Sequence, residues 1–337
     1  MKILYDPEPR TTEEIFSVSD RAEFLKTYEV IEVDPSARDR DYEVHLPETD
    51  ILISQQAMDG ARLDSAKKLR AIFNVETNFL PNIDYEACLA RGIHVLTPGS
   101  VFALPVAEMG FGMALSLARN IHGGHGDFVA GREKYGLQGN AQAELLTGSE
   151  IGFIGFGDLG RALFRLLAPF QARVRAFDPW LPDGYLRRQG VEPASLDDVL
   201  TKSRCVFVVA STTTQNNHLL NADTLARLKD GAMLVLLSRA AVADFRALAA
   251  EAASGRLRIA TDVFPVEPVS PQDPIRGTPG ILFSAHRAGA LTSALQAIGA
   301  HVLEDLSLIA RNLPPITCRR AERETVMTLR SMPIEGS

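Results

Sequence analysis

Cysteine is scarce in this chain, and its few cysteines lie far apart. Cys88, Cys205 and Cys318 are an odd number in 337 residues. Their spacing matches neither a disulfide framework nor a zinc-binding pattern. Unpaired cysteines are typical of proteins from reducing compartments, so we predict a cytoplasmic location.

Features of membrane and nucleic-acid-binding proteins are also missing from the sequence. No apolar run approaches the roughly 18 residues needed to cross a bilayer, and the N-terminal MKILYD does not resemble a signal peptide. The formal net charge is −7, so the overall field repels nucleic acid and anionic lipid. We expect neither a nucleic-acid nor a membrane partner. An anionic substrate would need a local arginine to hold it.

One histidine pair invites interpretation as a metal site. His122 and His125 stand in the sequence HGGH at the end of a long helical pattern. No further ligand residues accompany them at a suitable spacing, which favours a pair on a helix surface. We therefore expect no metal site.

The composition and pattern predict an α/β protein. At 337 residues and 46% hydrophobic content, two globular domains are expected. Strand-like runs alternate with helical stretches in two series, and this alternation indicates parallel sheets. The first series is KILYD, YEVIEV, DILIS, LRAIFNV and GIHVL; the second is IGFIG, RVRAFD, RCVFVV, AMLVLLS, LRIATDV and ILFSA. The six runs of the second series suffice for a doubly wound dinucleotide-binding domain.

The glycine motif at the start of the second series predicts where a dinucleotide binds. Gly155, Gly157 and Gly160 follow an apolar strand and open a helix. The first permits a tight turn, the second lets a pyrophosphate approach the backbone, and the third allows close packing of helix on strand. Asp158 and Leu159 lie at the helix N-terminus, whose free N–H groups favour phosphate. All five residues are predicted to bind the cofactor.

The next strand ends in an acid that specifies the kind of dinucleotide. Asp178 follows Gly160 by 18 residues, where a carboxylate would accept hydrogen bonds from the adenosine ribose. The same carboxylate would repel the 2′-phosphate of NADP, so NAD is the predicted cofactor. Ser211 and Ser238 lie at or beside other strand ends and are further candidates for cofactor contacts.

Three chemically distinct side chains follow later strands of the same series. Arg239 comes after MLVLLS, Asp262 and Glu267 come after RIAT, and His286 comes after ILFSA. Taken singly, they have ordinary interpretations as a surface arginine, loop acids and a core histidine. Because carboxyl ends of parallel strands line the ligand crevice, they are expected to converge on the cofactor.

These motifs, in this order, resemble the D-isomer-specific 2-hydroxyacid dehydrogenases. The resemblance covers nearly the whole chain and includes NIDYEACLARGIHVL, VAE, GFIGFGDLGR, FDP, TDVFPVEP and the histidine strand. It implies a Rossmann doubly wound parallel sheet, residues 103–291, inserted into a smaller flavodoxin-like substrate domain, residues 1–102 and 292–337. It also implies an active site in the cleft between the domains, and a homodimer.

The resemblance assigns each candidate a role in interconverting a small 2-hydroxy acid and its 2-oxo acid. Arg239 would hold the substrate carboxylate and polarise the ketone. His286 would be the general acid/base, and Glu267 would hydrogen-bond its far ring nitrogen and favour the charged imidazole. Asp262 would accept from the nicotinamide amide, with a structural turn as the alternative.

The chain departs from the family where the substrate carboxylate is expected to bind. A glycine-rich turn usually precedes Asn-Ile-Asp, but this chain has NVETNFLPNID. Glu76, Thr77 and Asn78 occupy that region and are the predicted substrate-binding residues there. This odd loop leaves a second hypothesis open, an NAD(H)-sensing regulatory protein on a dehydrogenase fold, although an intact catalytic set favours an enzyme.

Overall fold

The computed structural model describes residues 1–76 and 78–329. The chain divides into two compact units. One is Met1–Phe102 together with the chain from Ala290, and the other is Ala103–Gly289. Both are α/β, as the sequence pattern predicts.

The described elements alternate strand and helix along most of the chain. The strands are β1 (Lys2–Asp6), β2 (Glu29–Glu32), β3 (Ile51–Ser54), β4 (Ala71–Phe73), β5 (His94–Thr97), β6 (Glu150–Ile154), β7 (Arg173–Phe177), β8 (Glu192–Pro193), β9 (Cys205–Val208), β10 (Met233–Leu236), β11 (Arg258–Thr261), β12 (Ile281–Phe283) and β13 (Arg319–Arg320). The α-helices are α1 (Thr12–Ile15), α2 (Val18–Thr27), α3 (Arg38–His45), α4 (Gly60–Ser65), α5 (Tyr85–Ala90), α6 (Ala103–Arg119), α7 (Ile121–Val129), α8 (Asp158–Leu167), α9 (Asp183–Arg188), α10 (Leu196–Lys202), α11 (Ala222–Leu225), α12 (Phe245–Ala253) and α13 (Thr292–Ala310).

The first unit is built on one sheet with strand order β2-β1-β3-β4-β5-β13. The first five strands are parallel, and their order is that of flavodoxin. Strand β13 pairs antiparallel with β5 at the edge. The sequence did not predict β13, because a two-residue arginine strand lacks any apolar pattern.

Both faces of this sheet are covered, and β1 shows how the sequence achieves it. Ile3 and Tyr5 face one core, which also contains residues of α1, α2 and α13. Leu4 lies between them in sequence and faces the opposite core, formed with α3, α4 and α5. Side chains alternate along a strand, so a continuous apolar run serves two buried faces.

A buried carboxylate explains how β13 reaches the sheet edge. Asp305 of α13 is fully buried, and its two oxygens accept hydrogen bonds from the backbone N–H groups of Ile316, Thr317 and Cys318, at 2.8–3.0 Å. These bonds fasten the segment after α13 to the helix. The chain is thereby directed along β5 at Arg319.

The second unit contains a seven-stranded parallel sheet with order β12-β11-β10-β9-β6-β7-β8. Counted within the unit, this is the Rossmann order 3-2-1-4-5-6 with one further strand. Strand β8 has two residues and was missed from the sequence, because no apolar run marks it. The Rossmann and flavodoxin-like assignments are both confirmed.

Helix α6 packs one face onto the core of the second unit, although its composition resembles a membrane span. The stretch Gly99–Arg119 is long and apolar enough to cross a bilayer. The expectation that no run approaches that length was therefore wrong. Within the unit, Ala107, Met113, Ala114 and Leu117 pack into the core beneath α8.

The three cysteines are buried and unpaired. Burial raises the pKa of Cys88 and of Cys205 to about 12, and it also raises the pKa of Cys318. The thiolate is the reactive form, so all three side chains behave as small apolar residues.

His122, one of the HGGH pair, contacts the hydroxyl of Ser116 through its ring nitrogen Nδ1, at 3.1 Å. Nowhere in residues 1–76 and 78–329 do three or more metal-ligating side chains cluster.

Candidate active site

The last residues of six neighbouring strands in the second unit lie in register. The row runs Phe177, Ile154, Val208, Leu236, Thr261 and Phe283 across the sheet. Whatever follows each strand therefore emerges at the same edge. The glycine motif and the polar residues predicted from the second series of strands all follow the strands of this row.

Gly155 begins the turn between β6 and α8, and no other residue fits there. Its φ is +88°, in the left-handed region that side chains disfavour. A Cβ at this position would lie 2.6 Å from Cα of Ala210, in the neighbouring chain segment after β9. Both the conformation and the close packing require glycine.

Gly157 has a different role, because the space that a side chain would occupy there is open. A Cβ on Gly157 would meet no atom within 4 Å. It precedes Asp158, the first residue of α8, where the backbone N–H groups of Asp158, Leu159 and Gly160 have no partner one turn earlier. The Asp158 side chain is turned to Arg161 in an ion pair. The open space and the helix N-terminus together fit a pyrophosphate.

We expect alanine at the two glycines to have separable effects. Gly155→Ala should lower the free energy of unfolding by about 2–3 kcal/mol, because the methyl group forces backbone apart in a left-handed turn. Gly157→Ala should leave stability within about 0.5 kcal/mol but weaken NADH binding at least tenfold, because the methyl group occupies the phosphate space. Urea unfolding and NADH fluorescence titration measure the two effects. Equal loss of stability in both variants would contradict this division.

Asp178 both fits its predicted role and has another that the sequence did not reveal. One carboxylate oxygen accepts from the backbone N–H of Phe156 at 2.8 Å, and the other from that of Trp180 at 2.9 Å. The carboxylate thus anchors the glycine turn to the end of β7. An ionised carboxylate has about four acceptor sites, so capacity for a ribose hydroxyl remains.

The predicted serines differ from each other in exposure. Ser211 is exposed, and its carbonyl oxygen accepts from the side chain of Asn216 at 2.7 Å. Ser238 is 8% exposed, and its hydroxyl has no hydrogen-bond partner among the residues that the structure describes. The buried hydroxyl of Thr212, which the sequence analysis missed, is in the same state. Buried polar groups rarely stay unsatisfied, so these hydroxyls also fit a bound dinucleotide.

His286 and Glu267 form a direct pair. Nδ1 of the histidine lies 2.6 Å from Oε2 of the glutamate, and both side chains are about four-fifths buried. The other glutamate oxygen, Oε1, accepts from the backbone N–H of Phe264 at 2.7 Å. The carboxylate is therefore held between the chain after β11 and the imidazole.

Asp262 builds the turn that presents the histidine. Its two carboxylate oxygens accept from the backbone N–H groups of Arg287 and Ala288, at 3.1 and 3.0 Å. Its carbonyl oxygen accepts from the N–H of His286 at 2.7 Å. These bonds hold His286 at φ +47°. The geometry supports the alternative of a structural turn, while contact with a nicotinamide amide stays a prediction.

Arg239 lies three residues after the end of β10 and is half-buried. Its Nη1 donates to the carbonyl oxygen of Ser238 at 2.8 Å, which orients the guanidinium beside its own backbone. A short 3₁₀ turn, Ala240–Val242, begins at the next residue. The strand before Arg239 and the turn after it together hold the backbone of this residue in place.

The segment predicted to bind the substrate carboxylate belongs to the other unit. Glu76 is buried there, and its carboxylate pairs with Nε of Arg10 at 2.8 Å. Asn78 is half-buried and donates from its side chain to the carbonyl oxygen of Glu76 at 3.5 Å. Thr77 lies outside the described residues. No local pattern pointed to Arg10, which is distant along the chain.

Amide side chains engage the backbone N–H groups of this segment. The N–H of Glu76 faces Oδ1 of Asn74 at 3.2 Å. In the amide orientation that suits its surroundings, the Gln55 oxygen accepts from the N–H groups of Val75 and Glu76, at 2.6 and 2.5 Å. The N–H groups of Val75 and Glu76 are therefore bound to the protein itself. Asparagine and glutamine thus occupy donors that a glycine-rich turn would offer to an anion.

Comparison with known proteins identifies the family to which the chain belongs. The family described as "D-isomer specific 2-hydroxyacid dehydrogenase, NAD binding domain" matches residues 111–288. The chain is 29% identical over 269 residues to the hydroxypyruvate reductase of Thermotoga maritima, covering 77% of this chain and 85% of that protein. It is 28% identical over 266 residues to D-3-phosphoglycerate dehydrogenase of Mycobacterium tuberculosis, covering 78% of this chain. The chain spans about half the length of that relative, 49%.

Among solved structures, one described as a phosphoglycerate oxidoreductase from Rhizobium etli is similar over almost its whole length. The TM-score is 0.88 with 48% identity, covering 96% of this chain and 99% of that one. The family match spans more than half of the chain, and both sheets have the strand orders that the family resemblance implies. The chain belongs to the D-isomer-specific 2-hydroxyacid dehydrogenases, NAD-dependent oxidoreductases, and NAD is its cofactor.

Proposed function

We propose that the protein interconverts a small 2-hydroxy acid and its 2-oxo acid, with His286 as the general acid/base, Glu267 as its partner and Arg239 as the carboxylate-binding residue. The observation that carries the proposal is the 2.6 Å contact between Nδ1 of His286 and Oε2 of Glu267. A pair of this kind, at the ligand edge of a dinucleotide-binding sheet, is suited to move a proton.

The pair determines which imidazole nitrogen meets the substrate. An ionised carboxylate only accepts hydrogen bonds, so Nδ1 carries the hydrogen that points to Glu267. Nε2 is then the nitrogen that exchanges a proton. In reduction, protonated His286 donates from Nε2 to the ketone oxygen; in oxidation, neutral His286 takes the hydroxyl proton at the same atom. Bound NADH or NAD⁺ supplies or accepts the hydride.

Arg239 provides a local positive charge that can bind an anionic substrate. A 2-oxo acid is an anion, and a chain of net charge −7 repels it at long range. The planar guanidinium can bind the carboxylate with two parallel hydrogen bonds and place the ketone against Nε2 of His286. The named relatives are oxidoreductases, which supports an enzyme over a regulatory binding protein.

The direct test is NADH consumption with a panel of 2-oxo acids. Glyoxylate, hydroxypyruvate, 3-phosphohydroxypyruvate and branched or aromatic 2-oxo acids should be compared at saturating NADH. Saturable turnover of at least one of them is expected. Tight NADH binding without turnover of any would reject the proposed reaction.

We also propose that the protein is a homodimer, in contact through the segment 121–145 of the second unit. Large apolar side chains there are more than half exposed: Ile121, Phe128, Val129, Tyr135, Leu137 and Leu145. So many exposed apolar residues in one short segment mark a surface that another molecule covers.

No nucleic-acid or membrane partner is proposed, and three unpaired cysteines support a cytoplasmic location.

The dimer proposal predicts the effect of charge on this segment. The double variant Phe128→Glu, Leu137→Glu should convert a dimer to a monomer, because burying two carboxylates in an apolar interface is costly. Light scattering after size-exclusion chromatography measures the mass. Val18→Glu is the matched control, since Val18 is 89% exposed on α2 and should leave the dimer intact. A monomeric wild type would contradict the proposal.

A further inference from the structure

Arg287 immediately follows the histidine of the proposed acid/base pair, and its side chain is exposed. Its guanidinium makes no hydrogen bond or ion pair with any residue in 1–76 or 78–329. The residues on either side of it are largely buried, since the His286 side chain is 22% exposed and Ala288 is 4% exposed. Arg287 is thus the outward-facing residue of this turn.

The backbone of Arg287 is held by the same carboxylate that shapes the histidine turn. Oδ1 of Asp262 accepts from the N–H of Arg287 at 3.1 Å, and Oδ2 accepts from that of Ala288 at 3.0 Å. Asp262 is 2% exposed, so water hardly competes for these bonds. The long arginine side chain therefore starts from a fixed place beside His286.

A second arginine of the same unit lies across one strand from this turn. Arg239 and His286 each come three residues after the end of their strands, β10 and β12, and Arg287 comes one residue later. Strand β11 separates β10 from β12, so these two strands stand about 10 Å apart. One edge of the sheet thus carries two arginines, with the acid/base histidine next to one of them.

The acid/base cycle makes this distribution of charge costly unless an anion is present. In reduction, His286 must carry a positive charge before it donates its proton. Glu267 offsets that charge through its contact with Nδ1, at 2.6 Å. Arg287 adds a second positive charge at the adjacent residue, with no described carboxylate paired to it. Like charges this close repel each other, and an anion bound to Arg287 removes the repulsion.

We propose that Arg287 binds a second anionic group of the substrate, remote from the carboxylate that Arg239 holds, so that the enzyme prefers 2-oxo acids with two anionic groups. The inference rests on the proposed function. A phosphate ester and a second carboxylate both accept the two parallel hydrogen bonds of a guanidinium. The net charge of −7 repels such a substrate more strongly than a monoanion, which makes a second local arginine necessary.

The test measures kcat/KM with NADH for two pairs of 2-oxo acids, in which one member has a second anionic group and the other lacks it. The pairs are 3-phosphohydroxypyruvate with hydroxypyruvate, and 2-oxoglutarate with 2-oxopentanoate. Wild-type enzyme should prefer the doubly anionic member of at least one pair, and that pair identifies the group as phosphate or carboxylate. Arg287→Gln should lower kcat/KM for this member about tenfold more than for its partner. The difference should lie in KM, because a remote contact is made equally in the ground state and the transition state.

Two further variants separate a direct contact from a structural effect. Arg287→Lys keeps the charge without the planar fork, so it should retain part of the preference. Arg246→Gln removes the same charge from an exposed position on α12 of the same unit and should leave the preference unchanged.

A wild-type enzyme that prefers neither doubly anionic substrate overturns the inference. Equal losses for both members of the preferred pair in Arg287→Gln also overturn it. If no 2-oxo acid is reduced although NADH binds, the proposed function fails and the inference fails with it, which is a distinct result.

Discussion

Replacing His286 by asparagine is expected to lower kcat about 10²- to 10⁴-fold, the usual contribution of a positioned general acid/base. Asparagine is the suitable replacement because His286 lies at φ +47°, a region that asparagine tolerates well. The backbone hydrogen bond to Asp262 can remain, so the turn should keep its shape. Steady-state kinetics with the best 2-oxo acid measure the loss.

NADH affinity provides the control for this variant. The histidine belongs to the chain after β12, and the glycine turn lies after β6, so cofactor binding should change by less than about threefold. Glu267→Gln should also lower kcat, by a smaller factor, because the amide still contacts Nδ1 but carries no charge to stabilise the imidazolium. Turnover of His286→Asn within a few fold of wild type would remove the histidine from the mechanism.

Replacing Arg239 by lysine is expected to lower kcat/KM about 10- to 100-fold, even though the positive charge is kept. Hydrogen bonds to charged groups are worth about 1.5–3 kcal/mol, and each 1.4 kcal/mol is a factor of ten. Lysine offers a point charge in place of the planar fork that binds a carboxylate with two bonds. Arg239→Met should be more severe, at about 10²- to 10³-fold in kcat, since nothing then polarises the ketone.

Arg246→Lys is the matched control for this change. Arg246 is exposed in the first turn of α12 in the same unit, and the substitution should alter kcat/KM by less than twofold. A KM increase with little change in kcat would assign Arg239 to carboxylate binding alone; a fall in both kcat and kcat/KM would assign it to the transition state as well. Unchanged kinetics in Arg239→Lys would contradict both roles.

The positions of these residues follow from the sequence because strand ends are readable in it. Apolar runs locate the strands, and parallel α/β sheets place ligands at the carboxyl ends. Arg239, Asp262 and His286 each come within three residues of an apolar run, so their convergence on one edge was predictable. In the structure, the strand register places Ile154, Val208 and Leu236, the last residues of three strands, side by side in one row.

What escaped prediction depends on contacts between residues distant in sequence. Arg10 and Glu76 pair across more than sixty residues, and neither position has a local signal for the other. Asp178 and Asp262 accept backbone N–H groups that only the folded loops bring near. Strands β8 and β13 are two residues long and are defined by the neighbours they pair with. Local patterns carry no information on such bonds.

The route of the chain through the first unit constrains the order in which this protein folds during translation. One of that unit's two cores combines Ile3 and Tyr5 of β1 with Ile298, Val302 and Leu306 of α13. The entire nucleotide unit is encoded between them, and it is contiguous. During synthesis from the N-terminus, the nucleotide unit is complete before α13 has been translated. Until α13 is made, one apolar face of the N-terminal strands is covered only in part, by α1 and α2. Contacts of such long sequence separation form slowly. On the ribosome, the part of the chain that is made first is the last to finish folding.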